Sequence, residues 1–338
     1  MRRFIQAFLV VSSAVLAPAA AAAETLTVYT YNSFFSEWGP GPVVERAFEA
    51  ECGCDLEFVG VDDGVAILSR LRLEGARTRA DVVLGLDMNL VSEAAATGLL
   101  APHGLDLSAV DPMVGSAMAT SLVGEIFVPY DWGYFAFVYD SESLPTPPES
   151  LRALVEDSEV EILIQDPRTS TPGLGLLLWM RQVFGAEAAD AWEKLRPRIV
   201  TVTSGWSEAY GLFLEGEAPM VLSYTTSPAY HLTVDGEDRY RAAPFEEGHY
   251  VQIEGAAKTA TTDQPDLADR FLAFILTPPF QGAIPTTNWM YPAVAPEDGL
   301  PPAFDSLIEP SRMLLPAPVA IPDKRGAWVE EWLAAMSR

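Results

Sequence analysis

Several short clusters in this 338-residue chain combine residue types that hold small ligands. They are Tyr31-Asn32-Ser33 with Trp38, Asp62-Asp63-Gly64, Thr169-Ser170-Thr171-Pro172-Gly173, Ser204-Gly205-Trp206, Tyr224-Thr225-Thr226-Ser227 with Tyr230, and Asn288-Trp289. The aromatic faces of Tyr31, Trp38, Trp206, Tyr224, Tyr230 and Trp289 suit an organic cation or a flat heterocycle, at roughly 0.5–2 kcal/mol per cation–π contact. Asp63 adds a formal negative charge or accepts a hydrogen bond from an amine. It equally suits the N-cap of a following helix. The hydroxyls before Pro172 stand where free N–H groups open a helix, which suits a phosphate or a hydroxyl. The same turn is also an ordinary helix start, and any single ring is also a core residue.

The elements that must carry these clusters alternate. Leu26–Tyr31, Leu56–Val61 and Asp81–Leu86 read as strands, separated by helical patterns that start at Pro42 and behind Asp62-Asp63-Gly64. Such a β-α-β-α-β rhythm implies a mainly parallel sheet covered on both faces. A long aromatic run, Ile126 to Tyr139, follows and is interrupted by Pro129-Tyr130-Asp131-Trp132-Gly133. A second series begins with the strand Ile162–Gln165 and the helix Pro172–Phe184. It continues through the strand Ile199–Thr203, the helix Ser207–Leu214 and the strand Met220–Tyr224. His249–Ile253 then leads to a helix over 265–276, and Lys324–Met336 closes the chain as an amphipathic helix. The reading is an α/β protein of two lobes, with 24–130 and 255–338 in a discontinuous first lobe and 131–254 in the second. In open parallel α/β sheets ligands bind beyond the carboxyl ends of strands. Most of the clusters fall there, so two polar-aromatic rims would face one cleft. Trp289 is the exception, with no clear strand before it.

Composition narrows the ligand class. With 21 Lys+Arg against 47 Asp+Glu, the formal charge is −26, which leaves no broad basic surface for a nucleic-acid backbone. At 49% hydrophobic residues the chain can bury a sizeable core. The first 23 residues combine Met1-Arg2-Arg3, an apolar run from Phe4 to Leu16 and an Ala21-x-Ala23 end. That is the pattern of a secretory signal peptide cut near Ala23, in preference to a membrane anchor. Cleavage there removes two arginines and takes the charge to −28. Cys52 and Cys54 are the only thiols. They read as structural, pairing in an oxidising space, with a redox site or half a metal site as alternatives. His103, His231 and His249 are scattered and read as structural or surface residues.

At these residues the sequence resembles the periplasmic thiamine-binding proteins of bacterial ABC importers. The carrying segments include Leu26–Phe34, Trp38–Val44, Ala80–Asp87, Gln165–Met180, Gly205–Phe213, Leu222–His231 and Asn288–Pro292, spread over nearly the whole mature chain. The resemblance implies a type II periplasmic-binding-protein fold with a ligand cleft between the lobes. It implies capture of thiamine, thiamine monophosphate and thiamine diphosphate for a membrane permease driven by an ATPase, by a monomer in the periplasm. By motif match the contacts are Asp63, Gly64, Ser170, Thr171, Trp206, Tyr224, Thr225, Thr226 and Ser227. Tyr31, Trp38, Tyr230 and Trp289 are stacking neighbours. Asn32 stands where an Asp is common. Thiamine is then cargo, with no catalytic residue, metal or cofactor expected. Two rivals remain at this stage. One is a thiamine-degrading enzyme of related fold, which needs a nucleophilic Cys. The other is a binder of ferric iron or a polyamine, in which Tyr224 and Tyr230 would serve differently.

Overall fold

The computed structural model describes residues 23–119, 124–315 and 321–337. Residues 1–22 of the expected signal segment 1–23 lie outside the described residues. The strands are β1 (Thr25–Tyr31), β2 (Asp55–Val61), β3 (Val82–Asp87), β4 (Val128–Asp140), β5 (Ile162–Gln165), β6 (Ile199–Thr203), β7 (Met220–Tyr224), β8 (Tyr240–Ala242), β9 (His249–Lys258), β10 (Tyr291–Pro292) and β11 (Met313–Leu314). They join in the order β2-β1-β3-β9-β4-β7-β5-β6, with β8 and β10 on β4 and β11 on β9. The β1–β2, β1–β3, β5–β6 and β5–β7 pairs are parallel, as the alternating pattern implies. β4 and β9 run antiparallel to each other, to β7 and to β3, and link the two parallel groups.

β4 corrects the sequence reading. The Pro129–Gly133 stretch does not interrupt the aromatic run: one strand extends from Val128 to Asp140. A bulge between Pro129 and Asp131 absorbs the proline, which can donate no ladder hydrogen bond. Residues 128–134 of β4 pair with β9, and residues 135–139 pair with β7. β4 therefore serves both halves of the sheet.

Helices cover the sheet by burying apolar faces. In Pro265–Ile275, Leu267, Ala268, Phe271, Leu272 and Ile275 are buried at helical spacing, and Phe271 and Phe274 pack on Phe48. Thr171–Phe184 is buried almost all round, and its Trp179 sits against Phe137, Phe245 and His249. The closing helix Ile321–Met336 packs on Ala188–Leu195, with Trp332 edge-on to Trp192 at 6.4 Å. Arg181 pairs with Glu331 there, while Arg325 reaches Glu93 at 2.9 Å. This helix thus lies against Ala188–Leu195 and Thr171–Phe184 and reaches Glu93 through Arg325.

Cys52 and Cys54 form a disulfide around left-handed Gly53, at the exit of the helix Gly41–Cys52. All three histidines are held by hydrogen bonds. His103 meets the carbonyl of Gly124, His231 meets Tyr210 and Asp235, and His249 meets Phe135 and Phe245. Among the described residues no helix is long and apolar enough to cross a membrane.

Two glycines let the pieces approach. Gly85 of β3 has φ of 108°, and a Cβ there would meet the Tyr31 ring at 2.5 Å. A Cβ on Gly64 would meet the Gly85 carbonyl at 2.5 Å and Thr171 Oγ1 closer still. Replacing Gly85 with alanine adds backbone strain to overlap. Gly85→Ala is therefore expected to cost about 2–4 kcal/mol in urea unfolding, where a neutral result would refute the close-approach argument.

Candidate functional site

Loops at the strand ends bring the two halves together. Ala66 N–H donates to the carbonyl of Thr169 at 3.1 Å, and Gly205 lies against the backbone of Asp62. Between them opens a cavity of about 330 Å³, at the lower end of ligand-sized sites. Its wall includes eight of the residues singled out from sequence: Tyr31, Trp38, Asp63, Trp206, Tyr224, Ser227, Tyr230 and Trp289. Gly64, Ser170, Thr171, Thr225 and Thr226 are fully enclosed behind that wall.

The rings form two groups. Trp206 stacks on Tyr210 at 4.9 Å and meets Trp38 at 6.4 Å, with Trp38 54% exposed at the mouth. Tyr230 meets Trp289 edge-on at 5.6 Å. Trp289 is placed by a left-handed backbone (φ 55°), the one positive φ outside glycine among the described residues. Such a conformation is uncommon for a bulky residue and needs support, which its N–H finds on the Ile284 carbonyl at 2.9 Å. Side-chain bonds fix the other rings. Trp206 Nε1 donates to Ser223 Oγ at 2.7 Å, Ser223 and Ser227 hydroxyls meet at 2.7 Å, and Tyr224 OH donates to Gln252 at 2.8 Å.

Asp63 sits where three helices begin. Its carboxylate receives Gly64 N–H at 2.8 Å and Ser170 OH at 2.8 Å, and it also accepts from the backbones of Trp206 and Thr171. Those donors open the helices Gly64–Glu74, Thr171–Phe184 and Trp206–Leu214. The cradle is built for an anion. Burial still outweighs the four donors and holds the Asp63 carboxyl above its usual range. Ser170 Oγ is thereby committed to Asp63 and to the N-cap contact with Gly173. The Oγ1 atoms of Thr171 and Thr225 are buried without a partner, and Thr226 OH points at the Met290 sulfur.

Sequence reasoning missed Glu254, Gln252, Met290, Tyr210 and Leu214, all on the cavity wall. Glu254 is the most consequential. Its Oε2 receives Tyr31 OH at 2.9 Å and Tyr130 OH at 2.6 Å. In the strand register Glu254 lies opposite both Asp87 of β3 and Asp131 of β4. The three carboxyls form a buried row, exposed by 4%, 0% and 0%. Burial pushes Glu254 up to about 7 against the pull of the two tyrosines, and it pushes Asp87 up to about 7. Asp131 is pushed well above the carboxylate range by burial and then by Glu254. A charged residue inside each of two otherwise apolar strands, VPYDWGYFAFVYD and HYVQIEGAAK, was the available signal. Among the described residues no group of three His, Cys, Asp or Glu could hold a metal ion.

The raised groups have a defined linkage. The folded chain keeps protons on Glu254 at pH values where unfolded carboxyls have lost them. Their contribution to stability is largest on the acid side and declines as pH rises through about 7. The buried histidines, held below 6.5 by desolvation, act in the opposite sense under that value. A paired comparison cancels them. From about pH 5 to about pH 7 the melting temperature of Glu254→Gln should gain on that of the parent chain, and the difference should level off above that. Parallel curves would mean that Glu254 is already ionised throughout.

A family model described as "Bacterial extracellular solute-binding protein" matches residues 35–282. The thiamine-binding periplasmic protein of Brucella suis biovar 1 (strain 1330) is 57% identical over 324 residues, 96% of this chain and 95% of that one. Its counterpart from Escherichia coli (strain K12) is 54% identical over 318 residues, 94% and 95% of the two chains. A solved structure titled "Periplasmic thiamin binding protein" superposes with a TM-score of 0.88 at 52% identity, covering 96% of this chain and 100% of that chain.

Proposed function

This chain belongs to the family of bacterial extracellular solute-binding proteins, and we propose that it captures thiamine in the periplasm for ABC-transporter import. One observation in the site carries the reading. The cavity is walled by aromatic rings, and among the described residues the only formally charged ones on its wall are the acids Asp63 and Glu254. The thiazolium of thiamine is a permanent cation that Trp206, Tyr224, Tyr230 and Trp289 can face. The aminopyrimidine edge presents donors and acceptors that Asp63 or backbone groups can meet. Relatives named for thiamine binding, alike over nearly the whole chain, support the same ligand.

The finer assignments extend that proposal. Thiamine monophosphate and diphosphate would set their phosphates in the cradle of Gly64, Ser170, Thr171 and Trp206, where Asp63 now supplies the anion. Phosphate entry then requires the Asp63 carboxylate to turn away. Tyr31, Trp38 and Thr225–Ser227 complete the site as wall and support. The lobes are 24–130 with 255–338 and 131–254, with the closing helix docked across onto the second. The chain acts as a monomer, is exported with cleavage near Ala23, and hands its cargo to the permease and ATPase. It binds without catalysis. The pairing of Cys52 with Cys54, away from the cavity wall, supports this reading over the enzymatic alternative.

Native mass spectrometry of protein purified without added ligand tests ligand class: a retained species with the mass of thiamine or a phosphate ester is expected. In titration calorimetry Trp206→Ala and Tyr224→Ala should each bind thiamine about 3–30-fold more weakly. Unchanged affinity in both would sink the aromatic clamp. Ser170→Ala should weaken the diphosphate more than thiamine, and equal losses would remove Ser170 from phosphate binding.

A further inference from the structure

The buried row Asp87–Glu254–Asp131 does more than the ring walls require. Glu254 alone of the three reaches the cavity. It faces Tyr31 from β1, Asp87 from β3, Tyr130 and Asp131 from β4, Tyr224 from β7, and Asp63 beyond the strand ends. The groups so placed are all acids or phenols. Arg325, the basic group that acts on the row, acts on Asp87 and is bonded to Glu93. The phenols stay neutral, because burial raises Tyr31, Tyr130 and Tyr224 well above their ordinary range.

Asp131 shows where a proton is needed. Its Oδ2 accepts from Asn288 at 2.6 Å, but Oδ1 is buried with no donor among the described residues. The side chain in hydrogen-bonding reach is Glu254, which as a carboxylate has nothing to give. A proton held by Asp131 and donated to Glu254 satisfies both. Glu254 then accepts from three hydroxyl groups while facing an apolar, ring-lined cavity. An empty cavity leaves its charge uncompensated in a low dielectric, which favours a second proton on Glu254. A cation in the cavity supplies the missing charge.

We propose that Glu254, backed by Asp131, selects for positive charge in the cleft by giving up one proton when a cation enters, an inference that rests on the thiamine reading above. The balance is simple. Protonated Glu254 becomes a carboxylate, its proton passes to the buffer, and Asp131 keeps its own. No bond to the ligand forms or breaks. Cation binding and deprotonation are then linked, and affinity for a cation weakens toward acid by up to about tenfold per pH unit below 7.

The test is calorimetry on the mature chain with two probes: thiamine, and its thiophene analogue, in which a neutral ring replaces the thiazolium. Buffers of different ionisation enthalpy report protons released. At about pH 6.5, thiamine should release roughly 0.5–1 proton and the neutral analogue close to none. Both probes carry the same aminopyrimidine, so its own titration cancels. Glu254→Gln keeps the shape and the acceptor for Tyr31 and Tyr130. It should abolish the release and cut the preference for thiamine over the analogue by at least about tenfold. Thiamine binding by the parent chain with no proton release between about pH 6 and 8 overturns the inference, with no variant needed. So does an unchanged preference in Glu254→Gln. A parent chain that binds neither probe overturns the thiamine reading itself, and this inference with it.

Discussion

Glu254 accepts two tyrosine hydroxyls at the point where β4 and β9 join the two halves of the sheet, and much of the surrounding structure follows from holding a carboxyl there. Taking such a group out of water costs several kcal/mol unless it is hydrogen-bonded, neutralised or paired. Tyr31 and Tyr130 provide the bonds, and Asp131 provides a neighbour able to hold a proton. Tyr31 is in turn pinned by its bond to Asn288 and by the close approach of Gly85. The rim residues thus inherit their positions from a polar cluster as well as from apolar packing.

The second carboxylate, Asp63, solves the opposite problem. Three helix N-termini converge with unpaired N–H groups, and an anion must fill the space between them. Asp63 does so from one side of the cleft while Ser170, Thr171 and Trp206 supply donors from the other. The same contact therefore caps helices and closes the two halves on each other. An incoming phosphate would replace one anion with another, since it too offers the cradle negative charge and acceptor oxygens. A ligand without phosphate would leave Asp63 in place, so one cradle can serve both kinds of cargo.

Much of this was legible from residue pattern. The strands Ile162–Gln165, Ile199–Thr203 and Met220–Tyr224 have the bounds the pattern gives, because short β-branched runs between turn residues leave little ambiguity. The strand-end rule singled out seven of the residues that the structure gathers on one cavity wall, and Trp289 joins them from outside it. The rule is ambiguous where a residue type has two uses. Ser170 and Thr171 stand at a strand end as ligand contacts would, while in this structure one is an N-cap bonded to Asp63 and the other lies beneath Gly64. The reading failed at β4, where proline and glycine within an aromatic run read as punctuation. The bulge at Pro129 keeps the strand intact and turns Asp131 toward Glu254. Pairing of residues 123 positions apart is tertiary information, and no local spacing in VPYDWGYFAFVYD or HYVQIEGAAK carries it.

The overall acidity of the chain has a narrower bearing on its ligand than a charge of −26 implies. Most of those carboxylates lie on the surface, where salt screens them beyond about 8–10 Å and water weakens what remains. They steer a cation toward the protein only faintly and cannot tell it from a neutral molecule of the same shape once it is inside. Discrimination requires a charge that water does not already satisfy. Burial makes Glu254 such a charge, and the same burial favours its protonated form until a cation arrives. Selectivity and protonation are therefore two consequences of one desolvated carboxyl group, whose strength depends on how dry the ring-lined cavity is.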